Sequence, residues 1–314
     1  AQITAAGIHG VDGLGGVDVP GTVIPPAPQE AAWDAIYREA VAAKGELVLI
    51  AVGPLTNLAI AFGKYRALPE LIKRIVIMGA TSGIGLETAK RCIAAGWRVG
   101  AAGRRSEELE RLRGLAPQQV ETEAIDVTDD AAPAALERLI ERLDGMDVYL
   151  HVAGVGSQNP QLDPAVELHT VRTNVEGFTR MTTAAYGYFA AHGGGRIAVV
   201  SSIAGTRGLG VAAAYSASKR FQNTYIDSLA QLARMQGSKI RFTDIRPGFV
   251  ATALLRNADY PMLMRPEKVA EKLFRALERS KRRVVIDRRY ALLVRLWRLI
   301  PQGVWERLPI RSRD

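Results

Sequence analysis

A strand, a glycine turn and a helix follow one another from residue 74 and limit the fold more than any other feature. Residues 74–78 are a largely β-branched run that is typical of a buried parallel strand. Glycines at 79, 83 and 85 follow, and a helical pattern begins at Leu86. Such glycines allow a tight turn and let backbone approach a pyrophosphate at the start of the helix. The unit predicts an α/β fold that binds a dinucleotide, although glycines also close ordinary βα loops.

Two arginines follow the next predicted strand, which covers residues 97–102. At this position an acidic residue binds the ribose 2′-hydroxyl of NAD, whereas an arginine accommodates the 2′-phosphate of NADP. Arg104 and Arg105 are present and no acid is, so the sequence favours NADP (NADPH) over NAD. The alternative is that both arginines only begin a solvated helix rich in Glu and Arg.

Tyr215 and Lys219 lie four residues apart, with Ser202 thirteen residues upstream. On a helix these positions share a face, so the ammonium of Lys219 lies beside the phenol of Tyr215. A neighbouring cation lowers a tyrosine pKa from its usual value of about 10 and makes the hydroxyl a usable proton donor and acceptor. Each residue alone also fits a structural role, because Ser202 could cap a loop and Tyr215 could simply pack.

Taken in order, these motifs resemble the short-chain dehydrogenase/reductase family over residues 74–314. The glycine turn is similar to that family's cofactor turn, with Met78 where threonine is usual. Residues 151–154 match its Asn-Asn-Ala-Gly element with both asparagines replaced, which we expect to weaken a link between neighbouring strands. Residues 246–252 resemble the segment that lines the nicotinamide. The resemblance implies a doubly wound parallel sheet of Rossmann type, with about seven strands and helices on both faces.

The resemblance also implies a role for each member of a catalytic set. Tyr215 would exchange the proton with the substrate oxygen, and Ser202 would hydrogen-bond that oxygen. Lys219 would hold the nicotinamide ribose and lower the pKa of Tyr215, while Asn174 would anchor a water that leads the proton to solvent. The predicted cofactor contacts, with the two arginines, are Gly79, Thr81, Ser82, Gly83, Ile84, Gly85, Arg104, Arg105, Asp126, Val127, Ala153, Gly154, Tyr215, Lys219, Pro247, Gly248, Val250 and Thr252.

The implied reaction interconverts a ketone and a secondary alcohol. Residues 253–264 correspond to the cover over the cleft and mix Leu and Met with little charge, which favours an apolar substrate. Core packing explains those residues almost as well. Relatives commonly pair through the helix that carries Tyr215 and the helix before it, so the resemblance also implies a homo-oligomer. A second class of function is a cofactor-binding scaffold whose chemistry has been disabled.

Cysteine and histidine usage narrow the chemistry further. Cys92 is the only cysteine, so the chain forms no intrachain disulfide, which fits a reducing cytoplasm. The four histidines lack metal-ligand spacing, and we predict no metal site. No apolar run reaches the roughly 18 residues that a spanning helix needs. The sequence begins without methionine or a basic-then-apolar leader, which predicts a processed or truncated start.

Most of the net charge of +9 lies in the tail, where residues 281–314 carry ten Lys and Arg against three Asp and Glu. Over residues 288–305 arginines alternate with Leu, Val and Trp, which predicts an amphipathic helix on an anionic membrane surface. The alternative is that the apolar stripe covers the core or the cleft, and the two are compatible. No nucleic-acid motif accompanies the charge, so we predict no nucleic-acid partner.

The first 73 residues differ in character and predict a helix over 29–43 and a strand over 47–52. Residues 8–15 and 51–59, continuing to residue 79, resemble an internal piece of the inosine-uridine-preferring nucleoside hydrolases. In that family calcium is held by an aspartate cluster, and calcium needs six to eight oxygen ligands. This fragment lacks the cluster, so His9, which matches a substrate-loop histidine, would have no metal-activated water to assist. We therefore predict no hydrolase activity.

The two resemblances overlap at strand 74–79, which fits both families. In a doubly wound sheet the first strand is flanked on both sides, so strand 47–52 cannot lie beside it without displacing a native neighbour. We expect the dehydrogenase domain (74–314, with a basic tail from about 281) to keep its native sheet order. The amino-terminal α/β appendage (1–73) would then pack outside, add at an edge or stay partly disordered. A gene fusion, an assembly error or an engineered chimera would each produce this junction.

Overall fold

The computed structural model describes residues 31–42, 73–252, 255, 260 and 262–310. Seven parallel strands form one sheet in the order β3-β2-β1-β4-β5-β6-β7, and helices cover both of its faces. This confirms the predicted doubly wound α/β architecture. The strands are β1 (Arg74–Met78), β2 (Arg98–Gly103), β3 (Val120–Ala124), β4 (Val148–His151), β5 (Gly195–Val200), β6 (Ile240–Pro247) and β7 (Arg283–Ile286).

The helices alternate with these strands along most of the chain. Short stretches of π-helix (Arg172–Gly177) and 3-10 helix (Ile203–Thr206 and Gly210–Ala212) adjoin them. The α-helices are α1 (Ala32–Ala42), α2 (Gly83–Ala94), α3 (Ser106–Leu115), α4 (Ala132–Arg142), α5 (Pro164–Val171), α6 (Phe178–Ala191), α7 (Ala213–Met235), α8 (Pro266–Glu278), α9 (Arg288–Leu299) and α10 (Gln302–Trp305). In the part of the chain that the structure describes, no helix is both long and apolar enough to cross a membrane.

Strand β1 is an interior strand of the sheet and is buried on both faces, which explains its apolar sequence from Ile75 to Met78. Ile75 and Ile77 face a core formed mainly with α2, α3, α8 and α9, whereas Val76 and Met78 face a second core formed with α4, α6 and α7. The strand begins at Arg74, whose backbone N–H and guanidinium both donate to the carboxylate of Asp147 just before β4. This bond fixes the start of β1 against its neighbour.

Both edges of β1 are occupied, because it pairs with β2 on one side and β4 on the other. The order of the strands therefore leaves no place beside β1 for another strand, as we expected. The predicted strand 47–52 lies outside the described residues, and its position stays a prediction. The predicted helix over 29–43 is confirmed as α1 (Ala32–Ala42). The division of the chain at residues 73 and 74 also stays a prediction.

The carboxyl-terminal tail joins the sheet before it becomes helical. Residues Arg283–Ile286 form the edge strand β7, which pairs in parallel with β6. The predicted amphipathic helix then begins at Arg288. In the sheet, β1 is followed in sequence by β2 on one side, while β4 lies on the other, so the direction of winding reverses between β1 and β4. Such a reversal opens a crevice at the carboxyl ends of the strands, where doubly wound proteins bind ligands.

Candidate active site

The glycine turn lies at the carboxyl end of β1 and has the shape that a pyrophosphate needs. Gly79 has φ +98°, and a Cβ there would lie 2.7 Å from the backbone N of Ala153. A Cβ on Gly85 would lie 2.0 Å from the carbonyl oxygen of Gly79. Among the described residues, no side chain caps the first turn of α2 after Ser82. The N–H groups of that turn therefore suit an anion, and the turn fits a dinucleotide.

Arg105 and Arg104 stand beside this turn in different ways. The guanidinium of Arg105 donates to the carbonyl and hydroxyl oxygens of Thr81 at 3.0 and 2.9 Å. Arg104 is 62% exposed, and its Nη1 lies 4.0 Å from Oδ2 of Asp126. Both cations thus border the end of β2, where doubly wound proteins bind the adenosine ribose of a dinucleotide. Both arginines are exposed, and the sequence did not show that Arg105 bonds Thr81 whereas Arg104 lies near Asp126.

Asp126 and Val127 follow β3 on the same side of the crevice. Thr128 donates to Oδ1 of Asp126 through its backbone N–H at 2.9 Å and its hydroxyl at 2.8 Å. Burial raises the pKa of Asp126, but the bonds from Thr128 and the nearby Arg104 outweigh it and hold that pKa below its usual value. Val127 is buried against Gly177, where a Cβ would lie 2.7 Å from its Cγ2. The structure thus presents an ionised carboxylate at one of the predicted cofactor contacts.

The segment that follows β6 contacts the carboxyl-terminal tail at Gly248 and the glycine turn at Thr252. The ring of Tyr290 fills the space at Gly248, where a Cβ would lie 2.2 Å from its Cε2. Val250 forms an isolated bridge to Met264. Thr252 lies against Gly83, where a Cβ would lie 2.9 Å from its Cγ2. This places Pro247, Gly248, Val250 and Thr252 along one wall of the crevice.

The weakened link expected at residues 151–154 stays a prediction, although backbone hydrogen bonds are present there. The N–H groups of Val152 and Ala153 both donate to the carbonyl oxygen of Met78 at 2.8 Å. Backbone therefore joins β4 to β1 without the missing asparagines. His151 is buried, with Nδ1 2.9 Å from the hydroxyl of Tyr149. Burial first, and Lys219 second, lower the pKa of His151 to about 3, so its imidazole is neutral.

Tyr215 and Ser202 meet at the mouth of the crevice. Tyr215 is half-buried near the start of α7, and Ser202 is buried directly after β5. The pKa of Tyr215 was expected to be low, but the structure gives the opposite direction. Burial raises that pKa, and the hydrogen bond with Ser202 offsets it only in part. The phenol is therefore protonated at neutral pH and can donate a proton.

Lys219 lies deeper, with its Nζ 5.8 Å from the centre of the Tyr215 ring. The ammonium donates to the carbonyl oxygen of Val200 at 3.3 Å and to Oε1 of Gln222 at 3.0 Å. Burial lowers the pKa of Lys219 to about 8, although the carboxylate of Asp244 opposes that shift. Lys219 is thus mostly charged at neutral pH and loses its charge in mildly alkaline solution.

Asn174 is fully buried within the π-helical turn, a distortion that is frequent at functional sites. Its side chain accepts from the N–H of Val155 at 2.8 Å and donates to the carbonyl of Val155 at 2.7 Å. It also donates to Ser218 at 3.1 Å. A Cβ on Gly154 would lie 3.1 Å from Oδ1 of Asn174 and 3.5 Å from Nζ of Lys219. The absent side chain of Gly154 therefore lets the loop after β4 close over both residues.

Two further residues join this group, and the sequence analysis did not find them. Gln222 is fully buried and also donates to the backbone carbonyl of Asn174 at 3.0 Å, so it bridges Asn174 and Lys219. Asp244 is buried under the site, where it accepts from Ser201 at 2.6 Å and pairs with Arg246 at 2.6 Å. The position of Gln222 three residues after Lys219, on the same helix face, was the available signal.

The carboxyl-terminal helices are tied to the loop that follows Ser202. Arg207 donates to the carbonyl oxygen of Trp297 at 3.0 Å and also bonds that of Ile300. The indole N–H of Trp305 donates to the carbonyl oxygen of Gly208 at 2.8 Å. The tail therefore covers part of the dehydrogenase core, as one of the two alternatives predicted. The predicted cover at 253–264 lies mainly outside the described residues.

Comparison with known sequences identifies two families. The family model for short chain dehydrogenase matches residues 73–261. The model for inosine-uridine preferring nucleoside hydrolase matches residues 1–97, which confirms the second resemblance. The two matches overlap at residues 73–97, where the structure has β1, the glycine turn and α2 of the dehydrogenase fold. His9, the hydrolase-like histidine, lies outside the described residues.

Individual relatives and solved structures agree with the first family. An uncharacterized oxidoreductase of Myxococcus xanthus is 33% identical over 76% of this chain and 96% of its own length. Dehydrogenase/reductase SDR family member 7B of Bos taurus is 31% identical over 76% of this chain and 81% of its own length. A short-chain dehydrogenase from Streptomyces avermitilis superposes with a TM-score of 0.64 at 23% identity, covering 72% of this chain and 92% of that one. An actinorhodin polyketide ketoreductase, solved with NADPH, gives 0.60 at 25% identity over 68% of this chain and 95% of its own.

Proposed function

The chain belongs to the short-chain dehydrogenase family of oxidoreductases, and from that premise we propose that it interconverts a ketone and a secondary alcohol with NADP(H) on an apolar small molecule. The observation that carries this proposal is the grouping of Tyr215, Ser202, Lys219 and Asn174 at one end of the sheet. A half-buried phenol, a buried hydroxyl and a buried cation there form an acid–base site beside the glycine turn.

We assign the acid–base step to Tyr215 and Ser202. In the reductive direction the phenol of Tyr215 gives its proton to the substrate oxygen, and its raised pKa supports this direction at neutral pH. Ser202 donates a hydrogen bond to the same oxygen and stabilises the charge that develops on it. When bound, the nicotinamide supplies the hydride.

We assign support of this step to Lys219 and Asn174. The charge of Lys219 stabilises the phenolate that remains on Tyr215 after the proton has left. Gln222 holds the ammonium on one side and the backbone carbonyl of Asn174 on the other. Re-protonation of Tyr215 is proposed to proceed past Asn174 to solvent through an anchored water.

The preference for NADP over NAD rests on the two arginines at the end of β2. A 2′-phosphate there would meet Arg104 and Arg105, and charge-assisted bonds from guanidinium groups are the stronger kind. The related ketoreductase solved with NADPH supports the same choice. The apolar substrate class rests on Phe249 and Tyr260, whose ring centres lie 4.6 Å apart near the cleft cover.

Titration of the purified chain with NADPH and with NADH, followed by fluorescence, tests the cofactor part. Tighter binding of NADPH is expected, and equal or tighter binding of NADH would overturn the preference. A panel of aliphatic and aromatic ketones is then offered with the preferred cofactor, with small polar aldehydes as the contrasting set. Turnover confined to the polar set would contradict the apolar substrate class.

Two further assignments accompany this proposal. A homo-oligomer is proposed through α6 and α7, where Phe221 and Met235 are exposed at 36% and 77%. A cytoplasmic location is proposed from the single, buried Cys92. Sedimentation velocity tests the first, and fractionation of cells that express the chain tests the second.

A further inference from the structure

Helix α9 carries leucines on the face that points away from the protein. Leu292, Leu296 and Leu299 are 59%, 53% and 79% exposed. Their spacing of four and three residues places them on one side of the helix. We call these three residues the leucine face.

The opposite side of α9 already supplies the contacts that attach it to the core. Tyr290 and Val294 are buried, and Tyr290 packs against Gly248 beside the cleft. The ring of Trp297 lies 5.4 Å from that of Trp305. The leucine face is therefore a second apolar stripe, which the attachment of α9 does not use.

Basic residues border the leucine face. Arg288, Arg289 and Arg295 are exposed, and the helix sequence from 288 to 299 contains no acidic residue. Asp287 caps the first turn and pairs with Arg289 at 3.0 Å, so one of the charges is offset. Leucines flanked by arginines on one exposed helix face suit the boundary between lipid headgroups and acyl chains.

A groove of about 980 Å³ lies next to α9 and has the same mixed character. Arg207, Arg220 and Arg298 line it together with one acidic residue, Glu306, and the apolar side chains of Leu308 and Ile310. Burial, and then Arg246, Arg283 and Arg220, lower the pKa of Arg298, and of these three arginines Arg220 shares the groove with it. A phosphate group in this groove would offset the repulsion between Arg220 and Arg298.

We propose that the leucine face and this groove together bind the surface of an anionic phospholipid membrane, with α9 lying in the plane of the interface. The charge of the helix selects this occupant. A second copy of the chain docked through the same face would bring arginines against arginines, which disfavours association. An anionic lipid surface instead attracts each of them within a Debye length.

The leucine face belongs to helices that contact the loop beside the candidate active site. Arg207 and Trp305 join the carboxyl-terminal helices to the loop after Ser202. A membrane under α9 would thus lie on the side of the molecule where that loop is. Membrane binding itself does not depend on the reaction or on the cofactor.

Flotation with vesicles tests this proposal on the full chain. Vesicles of phosphatidylcholine mixed with phosphatidylserine should carry the protein, and those of phosphatidylcholine alone should carry much less. The variant Leu292→Gln/Leu296→Gln/Leu299→Gln should lower the partition coefficient by about tenfold or more, because three inserting side chains are lost. Arg288→Gln/Arg295→Gln should weaken binding mainly at low salt.

The matched control is Leu115→Gln/Leu162→Gln/Leu168→Gln, at positions that are 63%, 58% and 53% exposed elsewhere on the surface. It should leave flotation unchanged, and thermal melting should show that both triple variants are folded. Equal flotation of the parent and the leucine-face variant would overturn the proposal. So would a parent oligomer that only the leucine-face variant dissociates, because the face would then be a protein interface.

Discussion

The two halves of the crevice hold their polar side chains in opposite ways. In the half with Tyr215, the side chains of Asn174, Lys219 and Gln222 are buried, and Gln222 bonds both the ammonium of Lys219 and the backbone carbonyl of Asn174. In the predicted adenosine half, Arg104 lies 62% exposed at the surface. Burial shifts pKa values and fixes geometry, whereas exposed charges act through the field that they present to a ligand. We therefore expect the first half to control chemistry and folding, and the second to control only the choice of cofactor.

The largest effect should come from removing one hydroxyl in the buried half. Tyr215→Phe should lower kcat by about 10²–10⁴-fold, because general acid catalysis contributes that much. Steady-state kinetics measure the loss, and fluorescence titration should show that cofactor binding is retained. The control is Tyr225→Phe on the same helix, whose hydroxyl bonds Thr183 at 3.0 Å. Comparable losses in both variants would remove Tyr215 from its proposed role.

The next effect concerns the stability of the fold at alkaline pH. The pKa of Lys219 is lowered to about 8 by burial, while an unfolded lysine titrates near about 10.4. Between these values the unfolded chain binds more protons, so stability rises with pH. From pH 7.5 to 9.5 the parent should gain about 2 kcal/mol relative to Lys219→Met.

Urea unfolding at the two pH values measures this difference. Lys268→Met, which removes an exposed lysine from α8, is the control and should follow the parent. A parent that shows no gain relative to Lys219→Met would mean that the buried ammonium is better solvated than its surroundings indicate.

A third effect, on cofactor choice, belongs to the exposed half. Arg104→Gln/Arg105→Gln should lower the preference for NADPH over NADH by about ten- to a hundredfold, because bonds between a charged guanidinium and a phosphate are lost. Titrations with both cofactors measure the ratio. Arg111→Gln, which removes a 70% exposed arginine from α3, should leave the ratio unchanged. An unchanged ratio of NADPH to NADH affinity in the double variant would mean that other residues determine the cofactor preference.

The smallest effect should be on folding when a charge in the exposed half is removed. Arg104→Gln should change the free energy of unfolding by less than about 0.5 kcal/mol, because its ion pair is long and exposed. Asn174→Ala should cost about 2 kcal/mol by comparison, since it removes a fully buried side chain that bonds both backbone groups of the partly buried Val155. Similar losses in the two variants would remove the distinction between the halves.

The sequence predicted those parts of the fold that depend on local patterns. Strand β1 begins and ends where the β-branched run does, and the glycine turn follows it. The grouping of Asn174, Ser202, Tyr215 and Lys219 came from the family resemblance and not from a local pattern. Local patterns succeed for the strand and the turn because burial on both faces of a strand, and positive φ values in a turn, restrict which residues are possible.

The remaining features depend on contacts between distant residues, which no local pattern contains. The raised pKa of Tyr215 follows from the burial of its phenol group by surrounding residues, and its spacing to Lys219 does not reveal that burial. The place of β7 in the sheet depends on its pairing with β6, which the basic composition of the tail does not reveal. The bridge through Gln222 similarly needs the position of the Asn174 carbonyl on another element.

The bond between Arg74 and Asp147 has a consequence for how such a protein can be diversified. This bond fixes the start of β1 at the amino-terminal ends of the seven parallel strands. The glycine turn and the candidate active site lie at the opposite, carboxyl-terminal ends. A recombination event upstream of residue 74 therefore attaches new sequence at the far end from the reaction chemistry. Sequence that precedes residue 74 can therefore be exchanged during evolution while the residues of the candidate active site stay unchanged. The same position can be used to attach the protein to a solid support.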